Sequence, residues 1–115
     1  MDNHTGSCHC GEIQFTANTD LNNSFKCNCS FCVRRAATMH KVEVDAFHLH
    51  CDESKLGVYG NRDFSKHYFC KNCGIHCFTR VNRASGNAVM INTGCLQGVD
   101  SLALTPSLFD GANKL

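Results

Sequence analysis

The chain has 115 residues, ten of them cysteine, with 43% hydrophobic and 18% charged residues and a formal net charge of +1. At that length the expectation is one domain over residues 1–115, with roughly two thirds of the unfolded surface buried in a modest core. The composition excludes a disordered tail. The near-neutral balance gives no reason to expect a nucleic-acid partner, and no apolar run approaches the ~20 residues of a membrane span.

The first residues, Met1-Asp2-Asn3-His4-Thr5-Gly6, carry neither a basic nor an apolar stretch, so no secretory signal is read there. The expectation is therefore a cytoplasmic chain with free thiols. Cysteines at ligand spacing then read as metal sites rather than disulfides. Cys8-His9-Cys10-Gly11 is the first cluster. Residues 12–17 alternate polar and apolar side chains, the pattern of a half-buried strand, and an Asn-rich loop follows. The second cluster, Cys27-Asn28-Cys29-Ser30-Phe31-Cys32, runs into Val33-Arg34-Arg35, and Ser30 reads as the N-cap of one short helical turn. Residues 41–45 alternate again. The pattern slips at Ala46-Phe47 and resumes at Leu49 and Cys51, which predicts a bulge or a turn. Further strands are expected over residues 56–59, 66–69, 76–81 and 88–92, the last after a hairpin turn at Ser85-Gly86-Asn87. The third cluster, Cys70-Lys71-Asn72-Cys73-Gly74, falls between two of them. Short strands with Gly/Asn turns and scarce helix describe an all-β, mainly antiparallel fold with short helical turns, small enough to profit from a metal staple.

Zinc takes four soft ligands in a tetrahedron, and a C-x-x-C turn presents two thiolates on one side of an ion. A pair from Cys8 and Cys10 with a pair from Cys70 and Cys73 makes such a site and closes a loop of about sixty residues. Glycine after Cys10 and Cys73 suits the left-handed residue such turns require. The middle cluster packs three cysteines into six residues. Cys27, Cys29 and Cys32 can share one ion with a fourth position open, the arrangement of a catalytic zinc. The alternatives are a closed site completed by Cys51, Cys95 or a histidine, and a redox or iron–sulfur role. Cys51, Cys77 and Cys95 read as small buried hydrophobes, and His48 and His50 as strand residues. Arg34 and Arg35 follow the three-cysteine cluster and could meet an anionic substrate. His67 and His76 are candidate bases on sequence proximity alone.

The ordered set of Gly6-Ser7-Cys8-His9-Cys10-Gly11, the three-cysteine run through Arg35, and Phe69-Cys70-Lys71-Asn72-Cys73-Gly74 resembles the glutathione-dependent formaldehyde-activating enzyme family, which also contains centromere protein V. Ile91-Asn92-Thr93-Gly94-Cys95-Leu96 and Phe109-Asp110-Gly111 fit its usual ending. The resemblance implies a β-tent fold whose antiparallel sheets are pinned by zinc. It implies two zinc ions per chain, a structural one on Cys8, Cys10, Cys70 and Cys73 and a catalytic one on Cys27, Cys29 and Cys32. It further implies a carbon–sulfur lyase that forms or cleaves an S-hydroxymethyl adduct, with glutathione as co-substrate and a small thiol and an aldehyde as partners. Arg34 or Arg35 would then contact a substrate carboxylate. Asn28 stands where many members carry histidine. The competing expectation is a zinc-stabilised binding module that catalyses nothing, and the oligomeric state stays open.

Overall fold

The computed structural model describes residues 2–115. In chain order the strands are β1 (Asp2–Ser7), β2 (Gln14–Thr19), β3 (Phe25–Cys27), β4 (Met39–Glu43), β5 (Phe47–Leu49), β6 (Leu56–Arg62), β7 (Ser65–Cys70), β8 (His76–Arg83), β9 (Gly86–Asn92) and β10 (Ser107–Phe109). Two short helices, α1 (Ser30–Arg35) and α2 (Gly111–Lys114), complete the regular structure apart from 3-10 turns. The all-β expectation holds.

The strands form two sheets. The smaller is antiparallel, in the order β1-β2-β5. The larger runs β10-β3-β4-β9-β8-β7-β6. It is antiparallel apart from the pair β10 and β3, whose register sets Phe109 beside Cys27. The slip in alternation at Ala46-Phe47 is a 3-10 turn, Val44–Ala46, which lets the chain leave β4 in the large sheet and enter β5 in the small one.

The core lies between the sheets. Phe15 of β2, Phe47 of β5 and Phe78 of β8 form a triangle with ring centroids 5.4, 6.3 and 4.8 Å apart. Ile13, Val42, Val89 and Ile91 pack with them. Aromatic pairs in this range add to area burial. Cys77 and Cys95 are buried here, as expected, whereas Cys51 is half-buried and lies outside any strand.

The inward side chains of the large sheet alternate with an outward set, as strand pleating requires. Pairings Tyr59↔His67, His67↔Thr79, Thr79↔Met90 and Met90↔Lys41 set one transverse row across four neighbouring strand pairs. Ser65↔Val81, Val81↔Ala88 and Ala88↔Glu43 set the next. This outer face carries the candidate site.

Candidate metal centres and the adjoining cavity

Two clusters of thiols assemble, and they are the two that the spacing suggested. The first joins Cys8, Cys10, Cys70 and Cys73, all four Sγ atoms lying within 4.8 Å of one another. The same local device serves both halves. Cys8 N–H donates to the Ile13 carbonyl (3.1 Å) and Cys70 N–H to the Ile75 carbonyl (3.0 Å), so each cysteine pair occupies a tight turn between strands. Gly11 and Gly74 follow the pairs at φ 87° and 81°, which an L side chain tolerates poorly. Those turns aim backbone donors at sulfur: Ile13 N–H at Cys8 Sγ (3.2 Å), and Asn72 and Cys73 N–H at Cys70 Sγ (3.3 and 3.4 Å). Donors of this kind favour the ionised thiol. The Ile75 N–H, then that of Cys10, pull the Cys73 thiol down to about 6, while burial pushes Cys8 up to about 11. Cys8 and Cys10 Sγ, and Cys10 and Cys70 Sγ, are 3.6 Å apart. A zinc ion with bonds of about 2.3 Å needs an edge of about 3.8 Å. The donor set, the spacing and the N–H cradle therefore fit tetrahedral zinc.

The second cluster brings Cys27, Cys29 and Cys32 within the same 4.8 Å. Cys27 ends β3. Cys29, rather than Ser30, is the N-cap of α1, and no side chain caps that helix. Cys32 sits in its first turn, and Val33 N–H donates to the Cys29 carbonyl (2.9 Å). Among the described residues no fourth Cys, His, Asp or Glu joins the three. Cys95 Sγ instead points at the His76 carbonyl (3.8 Å), and Cys51 lies in a shallow groove beside Cys10. Three thiols with room beside them fit a zinc site that keeps a position for substrate.

The C-terminal segment closes over this cluster. Asn28 N–H donates to the Phe109 carbonyl (3.3 Å), Asn28 Nδ2 donates to Asp110 Oδ1 (3.1 Å), and Ala112 N–H donates to Asn28 Oδ1 (2.9 Å). Gly111 is then so close that an added Cβ would lie 2.5 Å from Cys27 Sγ and 3.3 Å from Cys29 Cβ. Gly111→Ala is therefore expected to displace α2 or Cys27. The cost should be about 1–3 kcal/mol, as for other overpacked sites. Thermal melts and metal content per chain check this, with a loss of bound metal from this cluster alone.

Arg35 and Arg34 part company. Arg34 Nη1 donates to the Ser30 carbonyl (2.6 Å) on the exposed side of α1. Arg35 turns inward, with Nη2 donating to Cys32 Sγ (3.2 Å) and its guanidinium 5.0 Å from the Phe31 ring centroid. Its Nη1 lies 3.1 Å from His76 Nδ1, and His76 Nε2 lies 2.9 Å from Thr79 Oγ1. Thr79 Oγ1 is also 2.7 Å from His67 Nδ1. A guanidinium only donates, so His76 accepts at Nδ1. The order is then His76 Nε2–H to Thr79 Oγ1, Thr79 O–H to His67 Nδ1, and the His67 proton on Nε2. Burial, then the charge of Arg35, holds His67 down to about 4 and His76 down to about 3, so both rings are neutral at neutral pH.

A bulge makes this chain possible. Tyr68 pairs with Phe78, but Phe69 pairs with His76, so β8 carries one extra residue at Cys77. Strict alternation would set His76 and Thr79 on opposite faces. The extra residue swings His76 onto the face of Thr79 and drives Cys77 into the core, the re-aiming that bulges commonly perform. Thr79 was invisible to motif reading for this reason. Phe31, stacked on His67 at 3.9 Å, carries no sequence signal of that contact, because its partner lies on β7.

All three thiols of the second cluster open on a cavity of about 680 Å³, within the range of ligand sites. Its floor is the outer face of the large sheet, including Met39, Val81, Ala88 and Met90. Lys41, Arg62 and Arg83 stand around it, the last with its guanidinium 4.2 Å from the Phe64 ring centroid. No helix among the described residues is long and apolar enough to cross a membrane.

Comparison with known proteins agrees with the cysteine pattern. The family model described as glutathione-dependent formaldehyde-activating enzyme matches residues 3–110. A Penicillium rubens protein provisionally named as such an enzyme is 29% identical over 82 residues, covering 66% of this chain and 43% of its own length. An Emericella nidulans protein with the same provisional name is 26% identical over 80 residues, 64% of this chain and 41% of its own. The chain thus spans less than half the length of these relatives. A crystal structure of a Rhodobacter sphaeroides protein superposes with a TM-score of 0.78 at 28% identity, over 90% of this chain and 98% of that one.

Proposed function

The chain belongs to the glutathione-dependent formaldehyde-activating enzyme family, and on that premise we propose that it joins the thiol of glutathione, or of a similar thiol, to a small aldehyde and runs the same reaction back as a carbon–sulfur lyase. The observation that carries this reading is that the three-thiol cluster opens on the large cavity. In this proposal residues 1–115 act as one domain. Cys8, Cys10, Cys70 and Cys73 hold a structural zinc, and Cys27, Cys29 and Cys32 hold a second one. Zinc bound at the second cluster would keep a substrate thiol ionised at neutral pH.

The chain's own groups do the rest. Three thiolates exceed the charge of one divalent ion, and Arg35, donating to Cys32 Sγ, offsets the excess. His76 holds Arg35 in that pose. His67 presents Nε2–H to the aldehyde oxygen, and a neutral imidazole can polarise a carbonyl without giving up its proton. Lys41, Arg62 and Arg83 offer partners for the carboxylates of the thiol. Ten free thiols suit a reducing compartment, and the cytoplasm is the one this reading assigns.

Metal content of anaerobically purified protein, with and without glutathione, tests the proposal. Two zinc ions per chain are expected, with glutathione changing the coordination of one. One zinc ion, unmoved by glutathione, would instead favour a zinc-stabilised binding module.

A further inference from the structure

The cavity is larger and more apolar than a one-carbon aldehyde requires. Met39 pairs with Phe25, two residues before Cys27 on β3. Met90 and Val81 continue the floor on β9 and β8, with Ala88 paired to Val81. None of these four side chains donates or usefully accepts a hydrogen bond. A tripeptide laid on them would lose water from its amide groups and gain no partner. Lys41 and Thr79 flank Met90 on the neighbouring strands and Ser65 flanks Val81, so a peptide thiol finds its partners beside this apolar patch and none on the patch itself. Met39 and Ala88 are already buried, whereas Val81 and Met90 are half-buried and leave apolar surface open to the cavity.

We propose that the floor receives the carbon substituent of the aldehyde, and that the preferred carbonyl partner is an apolar aldehyde of several carbons, aliphatic or aromatic, rather than formaldehyde. This rests on the thiol-adduct activity proposed for the same site. The reaction is unchanged in kind. Sulfur bonds to the carbonyl carbon, the C=O π pair moves to oxygen, and oxygen takes the proton that the thiol gave up. The product is a hemithioacetal, and no oxidant or reductant takes part. Two methionines in the floor suit a range of substituent shapes, because an unbranched thioether repacks readily.

The test uses the zinc-loaded full chain with glutathione and, in turn, formaldehyde, hexanal and benzaldehyde. NMR exchange between aldehyde and adduct gives the catalysed rate over the uncatalysed one for each. Hexanal and benzaldehyde are expected to show an enhancement at least about tenfold above formaldehyde, the scale of discrimination an apolar pocket achieves. Met90→Lys should lower the hexanal-to-formaldehyde ratio by about tenfold. Val81→Thr, which keeps the shape and adds a hydroxyl, should move the ratio in the same direction by less. Formaldehyde turned over as well as or better than the larger aldehydes would overturn the inference and leave the proposed activity standing. So would a ratio that neither variant moves. No enhancement with any aldehyde would overturn the activity and the inference together.

Discussion

Cys70→Ser is expected to leave the chain unfolded at neutral pH and room temperature. Cys70 is 1% exposed, accepts two backbone N–H bonds at its sulfur, and lies 3.6 Å from Cys10, sixty residues away. It ties the end of β7 in the large sheet to the turn after β1 in the small one. Structural zinc sites contribute about 10–16 kcal/mol at neutral pH, against a net stability of about 5–15 kcal/mol for a whole domain. Losing most of that term exceeds the margin. A hard serine oxygen cannot replace the thiolate among soft ligands. Chelation of the wild-type protein should do the same. Far-UV circular dichroism and NMR dispersion check both, and a folded variant short of one zinc ion would show that the four-thiol centre does not hold the sheets together.

Cys29→Ser is expected to separate the two centres. Cys29 is the N-cap of α1 and makes no side-chain cap bond, whereas serine is among the best capping residues. The substitution therefore removes a ligand and preserves or improves the start of the helix. The three cysteines lie within six residues, so the cluster they form joins no distant strands by itself. The expected result is native NMR dispersion, one zinc ion lost per chain, and adduct formation slowed by about 100-fold or more, the scale on which electrostatic and metal contributions act. Global unfolding would show that this centre is structural as well. The pair of variants thus assigns the two centres from opposite outcomes.

The two cysteine pairs and the three-cysteine run were legible from spacing, because ligands held by one tight turn must lie near one another in sequence. That the two pairs meet across sixty residues followed from zinc's need for four ligands. The sheet strands with regular alternation were legible too, residues 76–81 and 88–92 among them. What escaped was set by tertiary context. β1 reads Asp-Asn-His-Thr-Gly-Ser, with no apolar alternation, and is a strand because β2 offers six residues of register to pair with. β3 and β10 are three residues each, too short for any periodicity to show, and β10 is exposed throughout. The bulge at Cys77 inverted the facing of His76, so its partnership with Thr79 and Arg35 could not be read from the pattern of β8. The sequence also could not show that Arg34 and Arg35, though adjacent, project on different sides of α1.

The docking of Gly111 against Cys27 has a consequence for the order of events during synthesis. The four-thiol centre is spelled out once residue 75 has left the ribosome, since its turns close on Ile13 and Ile75. The three-thiol cluster lacks its cover until Asp110, Gly111 and Ala112 arrive, 82 to 84 residues after the Asn28 that clasps them. At about 5–20 residues per second, that is a delay of about 4–17 s. For that interval Cys27, Cys29 and Cys32 stand open to whatever thiols, oxidants or metal ions surround the nascent chain. The nascent chain thus completes the ligands of its four-thiol centre first, then β8 and β9 of the large sheet, and the cover of its reactive cluster last.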